Sequence, residues 1–167
     1  MQNVDLTDPP TYLRQIARPL CNRFRAEPLS FDLAFATCAA IFHFVDVLAH
    51  ATGRETKVVA KEFRDTISGF ELVRALANTL KHTELTTPKY HPDLGLKSSA
   101  LSVDIGGAFS DGTYYSDNTS FTDSPQAIVL TRVSGEKRDV LWTCLSVLEQ
   151  IEALHLAPLL EQDGQAD

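Results

Sequence analysis

The segment from Ser30 to Gly53 reads SFDLAFATCAAIFHFVDVLAHATG and contains the longest apolar stretch of the chain. Ser30 is a suitable N-cap and Gly53 a suitable C-terminal stop, so the pattern predicts one helix between them. Most of its surface is apolar, which is typical of a helix that neighbours cover on most sides. We therefore predict a central helix with six core side chains: Phe35, Cys38, Ile41, Phe42, Val45 and Leu48.

Other segments show the helical spacing of apolar residues on both sides of this one. Asp8 can cap a first helix that runs to Phe24, and Pro19 inside it should kink or split that helix. The remaining predicted helices are 57–68, 70–84 and a last helix that starts near Asp139. The sequence thus predicts a mainly α fold, a four- to five-helix bundle.

A different periodicity occupies residues 100–140. Leu101 to Ile105 alternates apolar and polar residues, and Ala127 to Val133 is a second strand-like run. The pair Asp111-Gly112 is a hairpin turn signal. We expect a small antiparallel β-hairpin element before the last helix.

Length and charge set limits on the kind of protein. With 167 residues and 44% hydrophobic content, residues 1–167 are predicted to be a single helical domain, with a frayed acidic tail over 159–167. The net charge of −7 is uneven, since residues 1–91 balance to +1 and residues 92–167 to −8. An acidic half repels phosphate, so RNA is a disfavoured partner.

The sequence does not suggest a membrane protein. Asp32, His43, Asp46 and His50 interrupt the longest apolar stretch, which leaves no run near the roughly 20 apolar residues of a membrane span. The first ten residues are polar and lack the basic start and apolar core of a secretory signal. We expect a cytoplasmic protein.

The three cysteines are Cys21, Cys38 and Cys144, each within an apolar helical pattern. Their odd number and the lack of a C-x-x-C pair argue against a disulfide framework and against a thiolate zinc site. We expect buried, reduced thiols.

The few polar residues of the central helix lie within about 40° of a common line around it. His43, Asp46 and His50, called here the histidine stripe, occupy positions i, i+3 and i+7. Two imidazoles and a carboxylate on one face can bind zinc, iron or nickel. The alternative is a polar seam of the kind that most bundle helices carry.

A second polar group lies on the fourth predicted helix. Arg74, Asn78, Lys81 and His82, called here the cationic run, place a guanidinium, an amide, an ammonium and an imidazole within two and a half turns. Such groups can bind phosphate or carboxylate. A solvated helix face with cations near its C-terminus is the alternative, although Asn78 is a poor mid-helix residue unless its side chain has a partner.

The two polar groups can belong to one site. If their helices pack antiparallel, His43 and Asp46 face the cationic run. We predict Asp46 within hydrogen-bonding or ion-pair reach of Arg74, Lys81 or His82.

The residues Asn78 to His82 form an N-x-x-K-H pattern, preceded by a helix that bears His and Asp. This arrangement resembles a group of uncharacterised bacterial helical proteins and is distantly similar to the HEPN superfamily of small helical bundles in toxin–antitoxin and phage-defence systems. The resemblance covers mainly residues 30–85. Active HEPN ribonucleases carry an arginine followed, after four to six residues, by a histidine, whereas seven residues separate Arg74 from His82 here.

Three functional interpretations follow from these residues, and they leave open whether the protein is an enzyme. The leading one is a HEPN-like helical module of unknown biochemical activity in a bacterial defence or stress system, which self-associates as a homodimer or binds a protein partner. The first alternative is a metal-independent ribonuclease that uses Arg74, Asn78 and His82. The second is a divalent-metal-binding protein that uses the histidine stripe.

Overall fold

A computed structural model describes residues 4–79, 101–105, 126–132 and 135–155. Its elements in chain order are α1 (Pro9–Tyr12), a π-helical turn (Leu13–Ala17), α2 (Arg18–Ala26), α3 (Phe31–Thr52), α4 (Thr56–Thr66), α5 (Phe70–Thr79), β1 (Leu101–Ile105), β2 (Gln126–Thr131), β3 (Lys137–Asp139) and α6 (Val140–His155). The fold is mainly helical, with a small antiparallel sheet before the last helix. This confirms the predicted fold class.

The central helix of the bundle is α3. It begins after Ser30, whose Oγ accepts a hydrogen bond from the Leu33 backbone N–H at 3.4 Å, and it ends at Gly53, which has a left-handed backbone with φ of 64°. It packs against α2, α4, α5 and α6. Four of the six predicted core side chains are buried: Cys38, Ile41, Val45 and Leu48. Phe35 and Phe42 are half-buried, because they lie where the buried face of the helix meets its exposed face.

The same helix is long and apolar enough to cross a membrane, with 22 residues and a mean hydropathy of 1.7 in its most apolar window. However, 56% of that window is buried inside the structure. This burial is consistent with the core helix of a soluble protein.

The N-terminal helix is capped as predicted, since Asp8 Oδ2 accepts a hydrogen bond from the Thr11 backbone N–H at 2.9 Å. Its predicted interruption at Pro19 takes the form of the π-helical turn, after which α2 begins at Arg18. Proline lacks an N–H and crowds the carbonyl four residues before it. A wider turn just ahead of the proline relieves that crowding.

Aromatic side chains join α3, α4, α5 and α6. The Phe63 ring lies 5.3 Å from Phe70, 6.2 Å from Phe44 and 5.2 Å from the His155 ring, measured between centroids. We call these four residues the aromatic cluster. The three phenylalanines are fully buried, so the cluster is the centre of the hydrophobic core.

The three strands are antiparallel in the order β1-β2-β3. In β1 and β2, Leu101 lies opposite Leu130 and Ile105 opposite Gln126. A tight turn at Gly135, with φ of 84°, leads from β2 into β3. The predicted hairpin turn at Asp111-Gly112 lies outside the described residues.

The last helix, α6, starts where it was expected. Asp139 Oδ1 accepts a hydrogen bond from the Trp142 backbone N–H at 3.0 Å, which caps the helix. Its buried face includes Cys144, Leu148 and Ile151. Leu154 is 51% exposed, because it lies on the solvent-facing side of the last turn, whereas His155 in the same turn packs against Phe63.

Candidate functional site

The histidine stripe lies on the solvent-facing side of α3. The side chains of His43 and Asp46 are 60% and 51% exposed, and His43 Nδ1 lies 3.1 Å from Asp46 Oδ2. His50, one turn further on, is exposed as well. Among the described residues there is no group of three or more His, Cys, Asp or Glu side chains arranged to hold a metal. The stripe therefore provides one histidine–carboxylate pair and a separate histidine.

In the cationic run, Arg74 is bound to a carboxylate of its own helix. Its Nη2 lies 2.7 Å from Glu71 Oε2, and its Nε donates to the same oxygen at 2.9 Å. The Nε atom of Arg64, on α4, lies 4.0 Å from Glu71 Oε1. Asn78 is half-buried, and Lys81 and His82 lie outside the described residues. The guanidinium of Arg74 is thus committed to a structural ion pair.

Of the three predicted partners of Asp46, Arg74 does not contact it. Asp46 pairs with His43 and Arg74 with Glu71, each within its own helix. The helices α3 and α5 do pack together, but through apolar side chains such as Phe42 and Phe70, whose ring centroids are 6.3 Å apart. The polar face of α3 consequently points to solvent and away from α5. The predicted contacts of Asp46 with Lys81 and His82 lie outside the described residues.

A further feature, absent from the sequence prediction, is a groove where α3 and α5 meet the sheet and the start of α6. Every side chain that lines it is apolar, including Phe31, Phe35, Cys38, Leu76 and Val140. The space enclosed in it is only about 10 Å³, so it is a shallow groove and not a ligand-sized cavity. We call this the apolar groove.

Two exposed hydrophobic side chains lie at the start of α3, beside the apolar groove. Phe31, which lines the groove, and Leu29, two residues before it, are each 39% exposed. We call these two residues the rim of the groove.

The three cysteines are free and buried, as expected. The Sγ atoms of Cys38 and Cys144 are 3.5 Å apart. The hydrogen bond with Cys38, together with burial, raises the pKa of the Cys144 thiol well above its usual range. Burial raises the pKa of Cys21 to about 11. Cys21 and Cys144 are therefore protonated near neutral pH, and a protonated thiol reacts more slowly than a thiolate.

No protein family, curated protein or solved structure matches this chain. The geometry of the described residues is therefore the basis for the functional proposal. The described residues form three features of interest: an apolar groove with an exposed apolar rim, the exposed His43–Asp46 pair, and the guanidinium of Arg74 in an ion pair.

Proposed function

We propose that this protein is a HEPN-like helical interaction module that binds a second copy of itself through the apolar groove. The observation that carries the proposal is the groove, whose lining is entirely apolar and whose rim exposes Leu29 and Phe31. Exposed apolar surface of this kind commonly marks a site of protein association. The bacterial defence or stress setting that the resemblance implies is part of the same proposal.

The groove and its rim suit a symmetric dimer. In a two-fold interface the same patch occurs on both subunits, so a protrusion on one copy has to meet a recess on the other. Leu29 and the exposed part of Phe31 supply the protrusion, and the groove, one wall of which is Phe31 itself, supplies the recess. Binding energy in protein interfaces is concentrated in a few side chains that fill well-packed, desolvated pockets.

The ribonuclease interpretation is weaker than self-association, because the candidate catalytic residue Arg74 forms an ion pair. A phosphodiesterase needs cations aimed at the phosphate, but the guanidinium of Arg74 is bound to Glu71 at 2.7 Å. The metal alternative has only the His43–Asp46 pair within contact distance. Neither alternative has a described feature that favours it over association.

Self-association can be tested by sedimentation equilibrium over a range of protein concentrations. We expect a monomer–dimer equilibrium that Phe31→Glu weakens by about tenfold or more, because a buried charge replaces an apolar anchor. Phe31 is the first residue of α3, where a negative charge suits the helix dipole, so the variant should fold.

Val58→Glu is the matched control for that experiment. Val58 is 46% exposed on α4 and does not line the groove, so the same charge there should leave the dimer intact. A native protein that stays monomeric throughout, or a dimer that both variants weaken equally, would contradict the proposal.

The ribonuclease alternative makes a separate prediction. We expect the purified protein not to cleave labelled single-stranded RNA, since Arg74 is paired and lies about 80° from His82 around an ideal helix. The assay compares the native protein with His82→Ala. Cleavage by the native protein that is lost in the variant would make the ribonuclease the better interpretation.

A further inference from the structure

Two thiol groups on different helices, Cys38 on α3 and Cys144 on α6, lie in contact. Their Sγ atoms are 3.5 Å apart, and both side chains are at most 1% exposed. A disulfide has an S–S distance of about 2.05 Å, so a movement of roughly 1.5 Å would bring the sulfur atoms to bonding distance. Small rotations of the two side chains can supply part of that movement.

A second observation gives one of these buried thiols a route to solvent. Cys38 is part of the lining of the apolar groove, which opens to the surface, whereas Cys144 is not. A small uncharged oxidant loses less hydration free energy on entering an apolar groove than a charged one would. Cys38 is therefore the thiol that such an oxidant reaches.

We propose that Cys38 and Cys144 form a reversible disulfide when the protein meets a peroxide, and that this bond fastens the central helix α3 to α6. The peroxide reaches Cys38 in the monomer, because the dimer proposed above would cover the groove. It assigns the buried cysteines a modification chemistry rather than a packing role alone.

The chemistry balances in two steps. The Cys38 sulfur attacks one peroxide oxygen, the O–O bond breaks, and a sulfenic acid and one water (from hydrogen peroxide) are formed. The Cys144 sulfur then attacks the Cys38 sulfur, the S–O bond breaks, and the hydroxyl leaves as a second water with the remaining thiol proton. Two thiols are oxidised by two electrons, and the peroxide is reduced by two.

Cys21 is the internal control for this inference. It is fully buried on α2 and does not line the groove. Although Cys21 is much closer to Cys38 in sequence than Cys144 is, no sulfur contact between Cys21 and Cys38 occurs. In an unfolded chain, loop entropy favours the shorter loop and hence a Cys21–Cys38 bond. The native structure instead favours the bond between Cys38 and Cys144, whose sulfur atoms are already in contact.

The test treats the folded chain with hydrogen peroxide, then unfolds it, alkylates the free thiols and measures its mass and its cross-linked peptides. We expect the loss of two hydrogens, one alkylated thiol at Cys21, a Cys38–Cys144 peptide, and full reversal by dithiothreitol. Cys21→Ala should retain the cross-link, and Cys144→Ala should lose it.

A parallel oxidation of the unfolded chain in denaturant shows whether the native fold determines which cysteines pair. There we expect the share of the Cys38–Cys144 bond to fall and that of the Cys21–Cys38 bond to rise. Three alkylated thiols after peroxide treatment of the folded protein, or a native cross-link that contains Cys21, would overturn the proposal. Over-oxidation of Cys38 without any cross-link would overturn it as well.

Discussion

Replacing Phe63 by alanine is expected to lower the free energy of unfolding by about 3–5 kcal/mol, the usual cost of removing a buried phenylalanine ring. Phe63 is 1% exposed and lies at the centre of the aromatic cluster. Its ring stacks on His155 at 5.2 Å and meets Phe70 edge-on at 5.3 Å. The substitution removes contacts with three helices at once, so the neighbouring side chains cannot easily close the cavity.

The protonation and hydrogen bonding of His155 increase the expected loss of stability in Phe63→Ala. Burial lowers the pKa of His155, so the ring is neutral near neutral pH. Its Nε2 is buried and has no hydrogen-bond partner within the described structure. Stacking on Phe63 is therefore a main favourable contact of this ring, and the alanine variant removes it.

Chemical denaturation at a pH well above the ordinary pKa of histidine measures the effect without interference from protonation of His155. Val58→Ala is the matched control, because Val58 lies on the same helix but is 46% exposed. The control should change the free energy of unfolding by no more than about 0.5 kcal/mol. A loss below about 1.5 kcal/mol for Phe63→Ala would mean that the aromatic cluster is not the centre of the core.

The elements that the sequence predicted well are those whose signals are local. Ser30 and Gly53 enclose one continuous apolar stretch, and both the cap and the left-handed stop occur where they were expected. Asp8 and Asp139 cap their helices by the same short-range hydrogen bonds. These contacts join residues three apart in sequence, so the chain segment itself contains the information.

The orientation of α3 was not predictable in the same way. The histidine stripe was correctly placed on one face of the helix, but which neighbour that face meets depends on the packing of the whole bundle. The aromatic contact of Phe42 with Phe70 joins α5 to the apolar side, which leaves Asp46 in solvent. Burying Asp46 against α5 would have cost its desolvation, whereas apolar contact does not.

The apolar groove could not be predicted from the sequence either. Its walls come from residues as far apart in sequence as Phe31 and Val140, and each of them looks like an ordinary core residue. A periodic pattern indicates which side of an element is apolar, but not where two apolar faces leave space between them. The contact between Cys38 and Cys144 has the same origin, since it joins two helices that are distant in sequence.

The second large effect is expected at Gly69, between α4 and α5. Its backbone is left-handed, with φ of 84°, and a Cβ added there would lie 3.2 Å from Thr143 Cγ2 and 3.3 Å from Val147 Cγ2 of α6. Gly69→Ala should therefore lower the free energy of unfolding by about 2–4 kcal/mol. About 1–2 kcal/mol of this comes from the backbone conformation, and the rest comes from overpacking against α6.

The variant Gly53→Ala separates the contribution of the backbone conformation from that of overpacking. It is also left-handed, with φ of 64°, but a Cβ added there would meet nothing within 4 Å. Gly53→Ala should cost only the backbone part, about 1–2 kcal/mol. Equal losses for the two variants in denaturation experiments would show that α6 yields freely to the new methyl group.

A double variant tests the contact itself. Thr143→Ser removes the Cγ2 methyl group that the new Cβ would crowd, and it keeps the hydroxyl that donates to the Asp139 carbonyl at 2.7 Å. If overpacking is the cause, Gly69→Ala should cost less in the Thr143→Ser background than in the native protein, because neighbouring substitutions are then not additive. Strict additivity of the two losses would instead assign the effect to the backbone of Gly69 and to the contact with Val147, and crowding against the Thr143 methyl group would have no energetic weight.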